Sequence, residues 1–186
     1  MALTCEEQTD DALLELARRG SERAFMVLFG RHRDVVFRLA WRLTNSESAA
    51  EDIAQECFLG LLNRPGLFDP GKGTLRTYLY AAVRNLARRH YWLHEGESDL
   101  DDDAAEEPTA VQFLLEKEMS ELVCEAVAAL PPPQREALIL FQYEELPLEQ
   151  IASILGIDAG AVKSRLHRAR ERLRKALSPH FQGSMR

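Results

Sequence analysis

The stretch that decides the fold lies near the C-terminus, where residues 148–173 read LEQIASILGIDAGAVKSRLHRARERL. Apolar residues recur at helical spacing on both sides of Gly156, and Asp158 can cap a new helix by accepting its free backbone N–H groups. We expect one helix, a tight turn at Gly156 and a second helix that starts after Asp158. This is the pattern of a helix-turn-helix, whose second helix enters the major groove of DNA.

The second helix of this motif carries an apolar stripe beside a basic one. The apolar stripe consists of Val162, Leu166, Ala169 and Leu173. The basic stripe and its polar extension consist of Lys163, Ser164, His167, Arg168, Arg170, Arg174 and Lys175. Such a helix can bury one side in its own domain and offer the other to phosphates and base edges. A solvated face on an ordinary terminal helix is the alternative, and the preceding helix and turn favour DNA.

The overall charge argues against a protein that simply coats nucleic acid. Lys and Arg number 23 and Asp and Glu number 30, which gives a formal net charge of −7. Residues 95–107 are acidic and contain no Lys or Arg, whereas residues 163–175 are strongly basic. An acidic connector and a basic DNA reader can therefore share one chain.

Other classes of protein are disfavoured by what the sequence lacks. No apolar run is long enough to span a bilayer, and the acidic start is not typical of a signal peptide. We expect a cytoplasmic protein without membrane insertion. Cys5, Cys57 and Cys124 are far apart and form no CxxC pair, which indicates reduced thiols. We expect no metal site, no cofactor and no enzymatic activity.

The helical periodicity predicts an all-α fold of two small domains, residues 1–94 and 111–186, joined by a flexible acidic linker at residues 95–110. In the first domain we expect helices from Glu47 to Leu62, capped by Ser46, and from Thr74 to Tyr91, with a Pro- and Gly-rich loop between them. In the second domain we expect helices over residues 111–129 and 134–143, separated by three prolines. The C-terminal helix-turn-helix follows.

The helix from Glu47 has two different faces. Ile53, Ala54, Cys57 and Leu61 point one way, and Asp52, Gln55, Glu56 and Leu59 lie on the opposite face. That second face is either a solvated acidic surface or a docking face for a protein partner.

The segment from Leu75 to Trp92 contains four arginines and no acid. Its aromatic residues are Tyr78, Tyr80, Tyr91 and Trp92, and its arginines are Arg76, Arg84, Arg88 and Arg89. Basic groups track phosphates and aromatic rings stack on unpaired bases, so the pattern is typical of a surface for single-stranded nucleic acid. Part of this set must face the core, since Leu75, Leu79, Ala82, Val83 and Leu86 trace a buried side.

The ordered set of motifs resembles bacterial sigma factors of the extracytoplasmic-function group in the sigma-70 family. The segment AEDIAQECF at residues 50–58 looks like the core-polymerase-binding helix, and residues 68–87 look like the promoter-melting and −10-reading segment. ALPPPQREAL at residues 129–138 looks like the entry to the second domain, and the helix-turn-helix looks like the −35 reader. The resemblance covers residues 11–177 and implies an all-α, two-domain sigma factor.

The resemblance also implies residue roles. The surface that docks on core RNA polymerase would include Asp52, Gln55, Glu56 and Phe58. The loop at residues 67–73 would capture a flipped base, and contacts to the melted −10 strand would come from Phe68, Lys72, Arg76, Tyr80, Arg84, Asn85 and Arg88. Contacts to duplex −35 DNA would come from Lys163, Ser164, His167, Arg168 and Arg170.

A dedicated anti-sigma factor is the regulator that the resemblance implies, with core RNA polymerase and promoter DNA as the other partners. The main alternative is a transcriptional regulator that ends in a LuxR-type helix-turn-helix, which predicts an α/β domain upstream. A metal-dependent enzyme using Glu51, Asp52 and Glu56 is a rival of another class, but the sequence offers no matching His or second carboxylate pair. An adaptor that only binds proteins leaves both basic helices unexplained.

Overall fold

The computed structural model describes residues 7–64, 67–94 and 122–182, with the side chains of residues 91–94 and 180–182 left out. Over these ranges the chain forms helices and turns and no strand. It divides into two compact units, residues 1–94 and 95–186. The predicted acidic linker at residues 95–110 lies outside the described residues, as does most of the helix predicted at residues 111–129.

The first unit contains four α-helices in its described part. They are α1 (Asp10–Arg18), α2 (Glu22–Thr44), α3 (Glu47–Asn63) and α4 (Leu75–His94), with a 3₁₀ turn at Pro70–Lys72 before α4. The long helix α2 packs against α1, α3 and α4, and α3 also packs against α4. The core between them is formed by apolar residues at helical spacing, among them Leu28, Val36, Leu39, Leu61, Leu79 and Val83.

Hydroxyl side chains fix where the first three helices begin. Thr9, Ser21 and Ser46 each have an extended backbone and accept a hydrogen bond from the N–H group three residues later. The helix α2 ends at Thr44, and the next residue, Asn45, has a left-handed backbone with φ 55°. The predicted Ser46 cap is therefore present, and it fixes the start of the helix that carries the candidate docking face.

The second unit contains α5, described over residues 122–128, followed by α6 (Pro132–Gln142), α7 (Leu148–Leu155) and α8 (Ala159–Gln182). The helix α6 begins two residues before the predicted start at Gln134. Proline is favoured in a first turn because its φ is already helical and its missing N–H would be unpaired there. Both α6 and α7 pack on α8, and Leu138, Ile139, Ile151, Val162 and Leu166 form the centre of the core.

The predicted turn at Gly156 joins α7 to α8. Gly156 is left-handed, with φ 65° and ψ 38°, and the N–H of Ile157 donates to the carbonyl of Ala152. Asp158 then caps α8, since its Oδ1 accepts a hydrogen bond from the N–H of Ala161. Both local predictions for the helix-turn-helix are confirmed.

Candidate nucleic-acid and partner interfaces

The exposed face of α3 carries the polar residues expected to dock on a partner. Asp52, Gln55 and Glu56 are all exposed, and Leu59 beside them is 48% exposed. Phe58 is 3% exposed and packs edge-on against Phe29 at a centroid separation of 4.9 Å. The ring therefore supports the face from inside the unit, and its contact with polymerase stays a prediction.

An aromatic groove adjoins this face between α2 and α3. It has a volume of about 510 Å³ and is lined by four phenylalanines, Phe25, Phe29, Phe37 and Phe58, together with Leu59. Polar side chains at its edge are Arg33, Asp34, Glu51 and Gln55. The phenylalanines of α2 are not among the surface residues predicted from the sequence. Their helical spacing predicts a buried stripe and does not show that the stripe opens into a groove.

A second cavity of about 510 Å³ lies between α3 and α4. Cys57 and Leu59 contribute from α3, Tyr78 and Asn85 from α4, and Leu67 from the loop between them. Asn85, which is exposed, is thereby placed at a concave site of the kind that can accept a planar group. Burial raises the pKa of Tyr78, and Cys57 adds to the rise, whereas the charges of Arg18 and Arg64 oppose it.

Two aromatic residues predicted to contact the melted strand are buried. Phe68 is 5% exposed and packs on Tyr78, with ring centroids 5.6 Å apart. Tyr80 is 1% exposed, and its hydroxyl accepts a hydrogen bond of 3.0 Å from Nε of Arg76. Neither ring is open to a base in this structure, and the contacts of Phe68 and Tyr80 with the melted strand stay predictions. Tyr80 instead holds Arg76 in place, since the guanidinium also lies 5.2 Å from the ring centroid.

The loop before α4 presents its basic residue to solvent. Asp69 caps the 3₁₀ turn by accepting a hydrogen bond of 2.9 Å from the N–H of Gly71. The ammonium group of Lys72 is 3.5 Å from the same carboxylate, and its side chain is 84% exposed. On α4 itself Arg76 and Arg88 are exposed and Arg84 is half-buried. The loop and helix together form a basic edge, although the predicted side chains of Tyr91 and Trp92 lie outside the described part.

The second unit presents the predicted basic face of α8. Lys163, Ser164, His167 and Arg168 are all exposed, while Val162, Leu166 and Ala169 are buried against the rest of the unit. Arg170 is exposed too, but its guanidinium lies over the ring of Phe141 on α6, 5.2 Å from the centroid. The helix therefore has the division of faces that a groove-binding helix needs.

Family models match both units. The family model described as "Sigma-70 region 2" matches residues 28–92, and the model described as "Sigma-70, region 4" matches residues 120–173. The "RNA polymerase sigma-H factor" of Pseudomonas aeruginosa is 30% identical over 187 residues, which cover 93% of this chain and 96% of that protein. The chain belongs to the extracytoplasmic-function group of the sigma-70 family.

Further comparisons agree with this membership of the sigma-70 family. The "ECF RNA polymerase sigma factor SigE" of Mycolicibacterium smegmatis is 33% identical over 159 residues, covering 82% of this chain but only 61% of that longer protein. Two solved structures share the fold at 24% identity. The complex of CnrH with the cytosolic domain of CnrY has a TM-score of 0.67 and covers 91% of this chain and 97% of that one. The sigma factor RpoE with the anti-sigma factor NepR from Bartonella quintana has a TM-score of 0.59 and covers 81% and 94%.

The match to the sigma-70 family does not favour the LuxR-type alternative. A LuxR-type regulator predicts an α/β domain before the helix-turn-helix, but residues 7–64 and 67–94 hold no strand. Within the described ranges no three His, Cys, Asp or Glu side chains are grouped so that they could hold a metal ion. No helix among the described residues is long and apolar enough to cross a membrane.

Proposed function

We propose that this chain is an RNA polymerase sigma factor that directs promoter-specific initiation of transcription. The first unit docks on core polymerase through the exposed face of α3 and holds the melted −10 strand along α4. The second unit binds duplex −35 DNA through α8. The observation that carries the proposal is the occurrence of sigma-70 regions 2 and 4, in that order, on one chain whose two basic faces are both exposed.

The polymerase contact is assigned to Asp52, Gln55 and Glu56, with Leu59 and the aromatic groove beside them. Their exposure on a helix that packs against both α2 and α4 gives the face a rigid support. The groove has apolar walls and a polar edge, which is the composition expected of a protein-binding surface. Charge complementarity at such a face sets the rate and orientation of association.

The −10 contact is assigned to Lys72, Arg76, Arg84, Asn85 and Arg88. These side chains supply the cations and the amide that a melted strand needs, and Asn85 lines the cavity between α3 and α4. Tyr80 supports Arg76 from the core. Holding a base outside the stack costs a few kcal/mol, which a fitted cavity can offset.

The −35 contact is assigned to Lys163, Ser164, His167 and Arg168. Arg170 acts from one turn further along α8, where its stacking on Phe141 fixes the position of its charge beside the DNA backbone. A bidentate base contact contributes about 1–3 kcal/mol of discrimination, so a few of these side chains suffice to choose a promoter.

We further propose control by an anti-sigma factor, as in the Bartonella quintana complex. Such a protein would cover the α3 face, the α8 face or both. The solved structures at 24% identity support the fold to which it would bind.

The polymerase contact is tested by direct binding of the full chain to purified core polymerase. Asp52→Arg should weaken binding at least tenfold, because it reverses the charge at the centre of the face. Glu125→Arg, an equal charge change at an exposed position of α5, should leave binding within about twofold. Equal binding by wild type and Asp52→Arg would remove α3 as the docking face.

A further inference from the structure

One ion pair connects the proposed polymerase-docking face of α3 with the proposed strand-binding helix α4. Arg89 of α4 donates a hydrogen bond through Nη2 to Oε2 of Glu56 on α3, across 33 positions of sequence. The two side chains are 57% and 51% exposed, so the pair lies at the surface. Glu56 belongs to the proposed polymerase-docking face. Arg89 directly follows Arg88, which is one of the residues assigned to the −10 contact.

The pair also lies at the opening of the cavity between α3 and α4. Glu56, Arg89 and Asn85 all line this cavity. Among the described residues that line it, Glu56 supplies the only carboxylate, and Arg89 and Arg64 supply the cations. A phosphate group of a strand that crossed the cavity would meet the carboxylate and the guanidinium together, and so would gain little net attraction.

We propose that Glu56 masks Arg89 in the free chain and that docking on polymerase exposes Arg89 for the melted strand. This inference rests on the proposed function. A cation on the polymerase would draw the Glu56 carboxylate away, and Arg89 would then bind a phosphate of the −10 strand. Exposed ion pairs are weak and easily replaced, so a competing partner can open this one. Arg89 is thereby a strand-binding residue in addition to Arg76, Arg84 and Arg88.

The masking is tested with the full chain alone and a short fluorescein-labelled DNA single strand of mixed sequence, by fluorescence anisotropy at low salt. Glu56→Gln keeps the size of the side chain and removes its charge, and it should tighten binding about three- to fivefold. The slope of log affinity against log salt should steepen by about 0.7, the value for one more phosphate contact on a single strand.

The matched control is Glu47→Gln, which removes one negative charge from an exposed position in the first turn of α3. It should tighten binding by less than about twofold, because it changes the overall charge without releasing Arg89. Arg89→Gln should have little effect in the wild-type chain and should cancel the gain in the Glu56→Gln chain. This non-additivity measures the coupling of the two residues.

The second half of the test measures strand binding by the chain in complex with core polymerase. With core polymerase bound, Arg89→Gln should weaken binding of the single strand about threefold, although it has little effect in the free chain. Equal gains from Glu56→Gln and Glu47→Gln, or an Arg89→Gln effect of the same size with and without polymerase, would overturn the masking. If the wild-type chain still directed promoter-specific initiation in that case, the proposed function would stand. Absence of such initiation would be a separate failure, of the proposed function itself.

Discussion

The carboxylate of Asp158 accepts a hydrogen bond of 2.8 Å from the backbone N–H of Ala161 in the first turn of α8. This contact satisfies one of the free N–H groups at the start of the helix that carries the proposed −35 contacts. Asp158→Ala should lower the free energy of unfolding of the second unit by about 0.5–2 kcal/mol. Asp158→Asn keeps an accepting oxygen and should lose much less. Urea denaturation followed by circular dichroism distinguishes the two variants.

The position of Gly160 beside the Asp158 cap leads to a second prediction. A Cβ at this position would lie 2.9 Å from Oδ1 of Asp158, so Gly160→Ala should displace the capping carboxylate. In the Asp158→Ala background the same change should stabilise the helix by up to about 1 kcal/mol, the usual gain of Ala over Gly. In the wild type the gain should be smaller or reversed. Additive effects of the two substitutions would show that the cap and Gly160 are independent.

The contacts of Asp10 on α1 with Arg31 and His32 on α2 predict a pH dependence of stability. Arg31 donates to Oδ1 of Asp10 over 2.8 Å, and Nε2 of the buried His32 lies 2.7 Å from Oδ2. Burial by itself raises the pKa of Asp10, but the hydrogen bonds and charges of Arg31 and His32 outweigh it, so the pKa lies below its ordinary value.

A lowered pKa means that Asp10 stabilises the fold when ionised. Its contribution is fully present above the ordinary aspartate pKa of about 4 and is lost as the pH falls through the lower folded value. The urea midpoint of Asp10→Asn should therefore lie below that of the wild type at neutral pH, and the two should converge in acid. Asp11→Asn, an exposed change on the same turn, is the control and should show no such convergence.

Cys57 and Cys124 should differ sharply in reactivity. Burial raises the pKa of the Cys57 thiol to about 12, and the charge of Glu56 adds to the rise. Cys57 is therefore protonated and shielded at neutral pH, whereas Cys124 is exposed. In a Cys5→Ser chain, a thiol-specific reagent should modify one cysteine quickly and the other only after unfolding. Rapid modification of two thiols in the folded chain would contradict the burial of Cys57.

Local signals in the sequence were enough to predict the helical fold. Ser46, Gly156 and Asp158 mark helix ends by chemistry that acts within three or four residues, and each has the predicted role in the structure. The prediction starts α6 at Gln134, after the three prolines, and the helix begins two residues earlier, at Pro132. The fixed φ of proline suits a first helical turn.

The burial of the candidate site residues could not be predicted in the same way. Phe58, Phe68 and Tyr80 lie at positions that match family motifs, but a motif does not tell which side of its helix faces the core. Phe58 of α3 packs on Phe29 of α2, and Phe68 of the loop packs on Tyr78 of α4, so their burial depends on contacts between different elements. The ion pair between Glu56 and Arg89 likewise depends on how α3 packs against α4, which no local pattern shows.

The central claim is that this chain selects promoters for core polymerase, and run-off transcription on a promoter library tests it most directly. Purified core polymerase with the wild-type chain should produce discrete start sites that share two spaced upstream motifs. These starts should be absent without the chain and should be lost with Asp52→Arg. Binding of the chain alone to duplex DNA, with no new start sites when core polymerase is added, would contradict the claim and favour a conventional DNA-binding regulator.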